Sequence, residues 1–288
     1  MTYRFRAART ALARDPGHLP MRDRAVLRIL NRTGAATVAQ LTILAYRNRR
    51  LAQARLRRLW EWGYLERTTL PPAGPRGGAP HAYRLAPAAA RRLGYQRSPW
   101  HGPGYLAHTL DSVGAVCALV AASDPETDPR LLLWLPESIA ADVLPAGPLP
   151  DAVVVLAAVS GALVLCLELD EGNQHATPIR DKLRAYRRAL DGHPGWHALF
   201  VVPTADRAAW LRRAARGVEP DPGSTWVTTL DELHQRGPEA WVAPVCATAA
   251  APSTLAGLPA GPPRASNAPV GTLRWLEVLG SGGAESTT

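Results

Sequence analysis

Apolar residues recur at helical spacing soon after the chain begins. In "RDRAVLRILNRTG" Val26, Leu27 and Leu30 fall on one side of a helix that Gly34 stops. Thr37 is a good N-cap for a second helix through "VAQLTILAY". A third covers "NRRLAQARLRRLWEWG", with Ala52, Leu56, Leu59 and Trp60 on an apolar face, Arg50, Gln53 and Arg57 on the opposite one, and Gly63 at its end. The period then changes from helical to alternating. "YLERTTL" and "HAYRL" read as short strands on either side of the Pro/Gly loop "PPAGPRGGAP", which carries Arg76 near its tip. A short helix, "APAAARRLGY", follows, and "QRSPWHGPG" reads as a boundary.

Past that boundary "YLAHTLDSVGAVCALVAAS" is helical, with Leu106, Leu110, Val113 and Val116 or Cys117 as its apolar stripe. Then come "LLLWLPE", a long apolar stretch, the charged helix "IRDKLRAYRRAL" and the apolar run "WHALFVVP", in the order αβββαβ. The long stretch, Ala152 to Leu167, holds sixteen uncharged residues between Asp151 and Glu168. As one helix it would rise about 24 Å, short of the roughly 30 Å hydrocarbon layer of a membrane. Ser160 and Gly161 also break it midway, so two buried strands in a hairpin fit better, out along 151–159 and back along 162–170. That folding puts Asp151 and Glu168 at the same end of the sheet, and Glu168 and Asp170, two apart on a strand, on one face. Three carboxylates are thereby expected to converge, and a hard divalent cation such as Mg²⁺ is the usual relief of their repulsion. The next helix would pack on the sheet through Leu183 and Leu190 and deliver Lys182, with Tyr186 one turn later on the same side.

Charge divides the chain. Residues 1–100 hold 20 Arg against 4 acidic residues, a balance of +16, while the other 188 hold 13 basic and 20 acidic residues, a balance of −7. Such asymmetry points to a polyanion-binding front joined to a body with another task. Of the 33 basic residues 32 are Arg, and the single Lys is Lys182. A compact ammonium with a movable pKa can do what a planar, permanently charged guanidinium cannot, which makes Lys182 a candidate for chemistry. Cys117, Cys166 and Cys246 lack metal-type spacing and read as buried thiols of a reducing cytosol. "MTYRFRAARTALARDPGHLP" has no apolar stretch of a secretory kind and reads as a basic arm. "ATAAAPSTLAGLPAGPPRASNAP" is too poor in core-forming residues to be more than a linker or loose tail.

Three helices followed by a hairpin is the order of the winged version of the helix-turn-helix. "LRRLWEWGYLER" resembles the end of a winged-helix recognition helix running into the first wing strand. The resemblance implies a third helix in the major groove and a wing on the backbone of double-stranded DNA. Arg47, Arg49, Arg50, Gln53 and Arg57 would then meet phosphates or base edges, and Arg76 would follow the adjacent groove.

Pro150-Asp151, then Glu168-Leu169-Asp170, then a displaced Lys182 on an αβββαβ core resemble the PD-(D/E)XK nuclease superfamily. More closely, "LRRLWEWGYLER" and "LELDEG...DKLRAY" make residues 21–245 similar to the replication-relaxation proteins of bacterial plasmids and mobile elements. The fold this implies is α/β (α+β): a basic arm (1–20), a winged helix-turn-helix (21–97), an αβββαβ restriction-endonuclease-like domain (98–245) and a Pro/Ala/Gly-rich tail (246–288). The resemblance implies Asp151 and Glu168 as ligands of Mg²⁺ or Mn²⁺, and Lys182 as the group that orients water or stabilises the transition state. Asp170, which stands where the usual motif has its Lys, becomes a third ligand or a support for the other two; Glu137 is a weaker candidate. His108 and His175 read as ordinary histidines, and no His pair with a Tyr nucleophile is visible, which argues against transesterification. The implied activity is metal-dependent hydrolysis that nicks or cleaves DNA in plasmid replication or relaxation, by a cytoplasmic protein with no membrane partner. A homodimer and replication or mobilisation proteins are further partners within this reading. The alternative is a non-catalytic winged-helix regulator whose nuclease fold survives as scaffold.

Overall fold

A computed structural model describes residues 4–7, 18–46, 48–72, 79–95, 105–121, 130–140, 143–144, 147–158, 161–218, 224–246 and 253–261. The protein is mixed α/β, and its described residues form a four-stranded and a seven-stranded sheet. It divides into two compact units, Met1–Cys117 and Ala118–Thr288.

In the first unit β1 (Arg6–Ala7) is followed by α1 (Met21–Thr33), β2 (Ala36–Thr37), α2 (Val38–Ala45) and α3 (Arg49–Glu61). The antiparallel hairpin β3 (Leu65–Thr69) and β4 (His81–Leu85) comes next, then α4 (Pro87–Arg92). Gly34 ends α1 at φ 83°, a conformation that favours glycine. Thr37 and Gln40 form a reciprocal capping box at the start of α2, and the Asn48 side chain caps α3. Val26, Leu27, Leu30, Leu41, Ala52, Leu56 and Leu59 are fully buried and join the helices. Each such Leu contributes about 1.5–3 kcal/mol by leaving water.

Trp60, expected on the apolar face of α3, is half-buried instead. Its indole N–H donates to the carbonyl of Arg6 at 3.1 Å, and the Arg67 guanidinium lies 3.8 Å from its ring centroid. Part of the expected basic arm is thus fastened down, because Arg6 and Ala7 pair with Arg67 and Glu66 along the open edge of β3. The boundary expected at 97/98 also moves, since the break falls after Cys117, inside α5 (Leu106–Ala121). Its early turns are tied to the first unit by Gln40, whose side-chain amide donates to the Leu110 carbonyl at 2.6 Å.

The second unit continues with β5 (Arg130–Pro136), α6 (Glu137–Ala140), β6 (Ala152–Ala158), β7 (Gly161–Leu169), α7 (Ala176–Leu190) and β8 (Trp196–Val202). After them come α8 (Ala205–Ala214), β9 (Thr225–Thr229), α9 (Leu230–Arg236), β10 (Trp241–Pro244) and β11 (Ser253–Thr254). The sheet order is β11-β10-β9-β8-β7-β6-β5. β5, β6 and β7 are antiparallel, β7, β8 and β9 are parallel, and β10 and β11 return antiparallel at the far edge. The long apolar stretch is the β6–β7 hairpin, with Ala152 opposite Leu167 and Ala158 opposite Gly161. Among the described residues no helix is long and apolar enough to cross a membrane. One face of the sheet packs Val153, Cys166, Ala198, Phe200 and Val227 against Ile179, Leu183, Tyr186 and Leu190 of α7 and Leu211 of α8.

The tail expected beyond Cys246 docks in part. Ser253 and Thr254 pair with Val242 and Trp241, and Leu255 and Leu258 are buried. Those two leucines are apolar anchors that an otherwise Pro/Ala-rich composition hides.

Candidate active site and nucleic-acid face

The hairpin brings Asp151 and Glu168 together through backbone register. The Asp151 amide donates to the Leu167 carbonyl at 3.0 Å, and the Asp151 Oδ2 accepts the Leu169 amide at 2.7 Å. Glu168, on the sheet face that α7 covers, is only 3% exposed. Glu137 opens α6 alongside, where its amide donates to the Asp151 carbonyl at 3.0 Å.

Helix α7 supplies two donors to Glu168. Ile179, Leu183, Tyr186 and Leu190 form its buried stripe, and Lys182 stands at the edge of that stripe. Its stem can follow the core while its ammonium reaches the carboxylate. Lys182 Nζ lies 2.6 Å from Glu168 Oε2, and the Tyr186 hydroxyl donates to Oε1 at 2.6 Å. Phe200, beside Glu168 in the parallel register, meets the Tyr186 ring edge to face at 6.2 Å.

Burial pushes the Glu168 carboxyl up to about 7; neighbouring Lys182 opposes the rise and neighbouring Asp151 adds to it. The Tyr186 phenol is raised first by burial and then by the negative field of Glu168, so it stays a donor. Lys182 and Tyr186 give each Glu168 oxygen one donor and a carboxylate oxygen has two lone pairs, so acceptor capacity remains on Glu168 beside Asp151. Two adjoining carboxylates, one buried and one half-buried, fit a divalent ion held by protein oxygens and water.

Asp170 takes a different partner. The Arg207 guanidinium, from the first turn of α8, forks onto both of its oxygens at 2.7 and 3.0 Å and donates to the Gln174 carbonyl at 2.9 Å. The same guanidinium lies 3.8 Å from the Trp210 ring centroid, and the Gly172 amide donates to Asp170 Oδ1 at 2.9 Å. The convergence expected of Asp151, Glu168 and Asp170 is therefore divided between two clusters. Among the described residues no three His, Cys, Asp or Glu side chains are gathered closely enough to hold a metal ion. Arg207 was not foreseen, since its partner lies 37 positions away and nothing in "TADRAAW" marks it out. His175 is exposed at the start of α7, and the His108 ring lies 4.5 Å from that of Tyr105.

In the first unit Arg49, Arg50, Gln53 and Arg57 all lie on the exposed side of α3. Arg57 is paired there with Glu61 at 2.8 Å. Arg55, on the inner side, is instead bound to buried Asp23 of α1 through both of its oxygens. Arg47 and Arg76 lie outside the described residues.

The model of a family described as replication-relaxation matches residues 27–202, more than half of the chain and parts of both units. No curated protein and no solved structure matches the chain.

Proposed function

The chain belongs to the replication-relaxation family, and from that premise we propose that it binds duplex DNA through its first unit and hydrolyses a phosphodiester bond with its second. A role in plasmid replication or relaxation follows from membership itself. The DNA-binding half of the proposal rests on the element order of a winged helix, the +16 balance of residues 1–100 and the exposed row Arg49, Arg50, Gln53 and Arg57 on α3.

One observation carries the hydrolytic half: the only lysine of the chain sits 2.6 Å from a buried glutamate that adjoins Asp151. Asp151 and Glu168 would hold Mg²⁺ or Mn²⁺, and Asp170, held by Arg207, would brace the end of β7 behind them. When bound, such an ion polarises a phosphate and lowers the pKa of water. Lys182 places a positive charge where the attacked phosphate gains negative charge. Tyr186 keeps Glu168 from swinging away by donating to its second oxygen.

Supercoiled plasmid incubated with the protein should become open-circular in Mg²⁺ and stay supercoiled in EDTA, and Asp151→Asn should remove the activity. Plasmid left intact in Mg²⁺ beside a normal gel shift would defeat the hydrolytic reading. A second reading keeps DNA binding without chemistry, and a specific feature favours it. Lys182 and Tyr186 already give each oxygen of Glu168 a donor from α7, as a purely structural network would.

A further inference from the structure

The exposed row of α3 does not end at Arg57. Trp60 stands one turn further along the helix, three positions from Arg57 and seven from Gln53, spacings that make them neighbours on its surface. The half-buried Trp60 ring carries the Arg67 guanidinium 3.8 Å from its centroid, and its indole N–H donates to the Arg6 carbonyl at 3.1 Å. Arg67 is held from a second side, because it lies opposite Tyr83 in the β3–β4 hairpin and hydrogen-bonds that buried phenol. Strand register then brings another guanidinium to the same place. β1 runs antiparallel to β3 with Arg6 directly opposite Arg67. Residues so paired project from one face, with Cβ atoms about 4.5–5.5 Å apart. Arg6 and Arg67 therefore stand side by side on the face that Trp60 adjoins.

The two faces of this small sheet differ in charge. On the other face Glu66 lies 2.6 Å from Arg84, whose guanidinium is 4.5 Å from the Phe5 ring centroid, so a matched ion pair and a ring anchor the arm there. On the Trp60 face no carboxylate among the described residues pairs with Arg6 or Arg67. Like charges directly opposite each other work against strand pairing. A strand of only two residues that sets arginine against arginine is therefore completed by an anion that joins them. Guanidinium forks match the oxygens of a phosphate, and one of these two is already fixed between a ring and a hydroxyl.

We propose that Arg6 and Arg67 bind a backbone phosphate of the duplex that α3 contacts, which makes the N-terminal strand part of the DNA interface. The continuity of Arg49, Gln53, Arg57 and Trp60 along α3 selects that phosphate over a free anion. The proposal rests on the reading that the first unit binds duplex DNA and is independent of the chemistry assigned to the second.

Fluorescence anisotropy of the full chain with a labelled duplex, in EDTA and over a range of salt, tests the assignment. Arg6→Glu sets a carboxylate opposite Arg67, which should strengthen the pairing of β1 with β3 while it removes the anion site. Duplex affinity should fall about tenfold or more, and the slope of log K against log salt by about 0.9, the value of one phosphate contact. The melting temperature should be no lower than that of the wild type. Arg6→Ala leaves the backbone pairing intact and should weaken binding in the same direction but less. Both losses should be equal on unrelated duplex sequences, because a phosphate carries no sequence information. The assignment is overturned if both Arg6 variants bind as the wild type does, or if Arg28→Glu, an exposed reversal on α1, costs as much as Arg6→Glu. A loss confined to one sequence, or one accompanied by a lower melting temperature, also overturns it. Unchanged Arg6 variants beside a weakened Arg49→Ala would leave the first unit's DNA reading standing, whereas a wild-type chain that binds no duplex would overturn that reading as well.

Discussion

Glu168 and Asp170 are two residues apart near the end of β7 and almost equally buried, at 3% and 4% exposure, yet they are answered in opposite ways. Asp170 meets a planar fork that engages both oxygens, a backbone amide, and an arginine that is itself held against Trp210. Every partner there is fixed, as in a structural clamp. Glu168 meets a single-point ammonium on a helix edge and a phenol, with a second carboxylate as neighbour, and its carboxyl is pushed up to about 7. Burial alone does not make a site. What separates the two is that one charge is fully matched, while the other retains a conflict that a cation or a reacting phosphate could relieve.

Breaking the clamp should cost stability first. Arg207→Ala leaves the buried Asp170 carboxylate without its fork, and urea denaturation should report a loss of about 3–5 kcal/mol. The pair of Arg55 with buried Asp23 is a second clamp, and Arg55→Ala should cost a similar amount in the first unit. Losses below about 1 kcal/mol at both positions would erase the contrast between clamp and site.

Titration sharpens the comparison from the side of Glu168. Its folded pKa of about 7 lies above its ordinary 4.5, so the folded state holds this proton more tightly than the unfolded one. The stability it contributes is therefore fully present below about pH 4.5 and is lost as pH rises through about 7. In metal-free buffer, unfolding free energy should carry a component that falls across this window, and Glu168→Gln should lack it. An unchanged slope in the variant would place the titration elsewhere.

Smaller again is the effect expected on the first unit. Replacing Arg49 or Arg50 by Ala should weaken duplex binding and reduce the salt slope of log K by about one for each phosphate contact removed. Slopes identical to wild type would remove α3 from the interface.

Much of this was readable in advance because it rests on local rules. Thr37 and Asn48 start helices, Gly34 and Gly63 stop them, and the Ser160-Gly161 dipeptide splits an apolar run into the β6–β7 hairpin. That hairpin alone suffices to bring Asp151 to Glu168, and helical spacing suffices to bring Lys182 and Tyr186 to them. What escaped notice depends on partners distant in sequence. Alternation along one strand puts Asp170 on the same face as Glu168, but only the packing of α8 shows that Arg207 captures it. β1 is two residues long, with no periodicity to detect, and the seating of Leu255 and Leu258 is decided by the open edge of β10. "TWVTT" and "WVAP" carry β-type composition that marks β9 and β10, although the expected core stopped at "WHALFVVP".

The comparison of clamp and site is tested most directly by exchanging the two cations and measuring Mg²⁺-dependent nicking of supercoiled plasmid at a temperature where both variants are folded. Lys182→Arg keeps a charge but replaces the compact ammonium with a fixed fork, and the rate should fall about 100-fold or more. Arg207→Lys should stay within a few-fold of the wild-type rate. Nicking unimpaired in Lys182→Arg, or abolished equally in both, would contradict the assignment of chemistry to Glu168 and of support to Asp170.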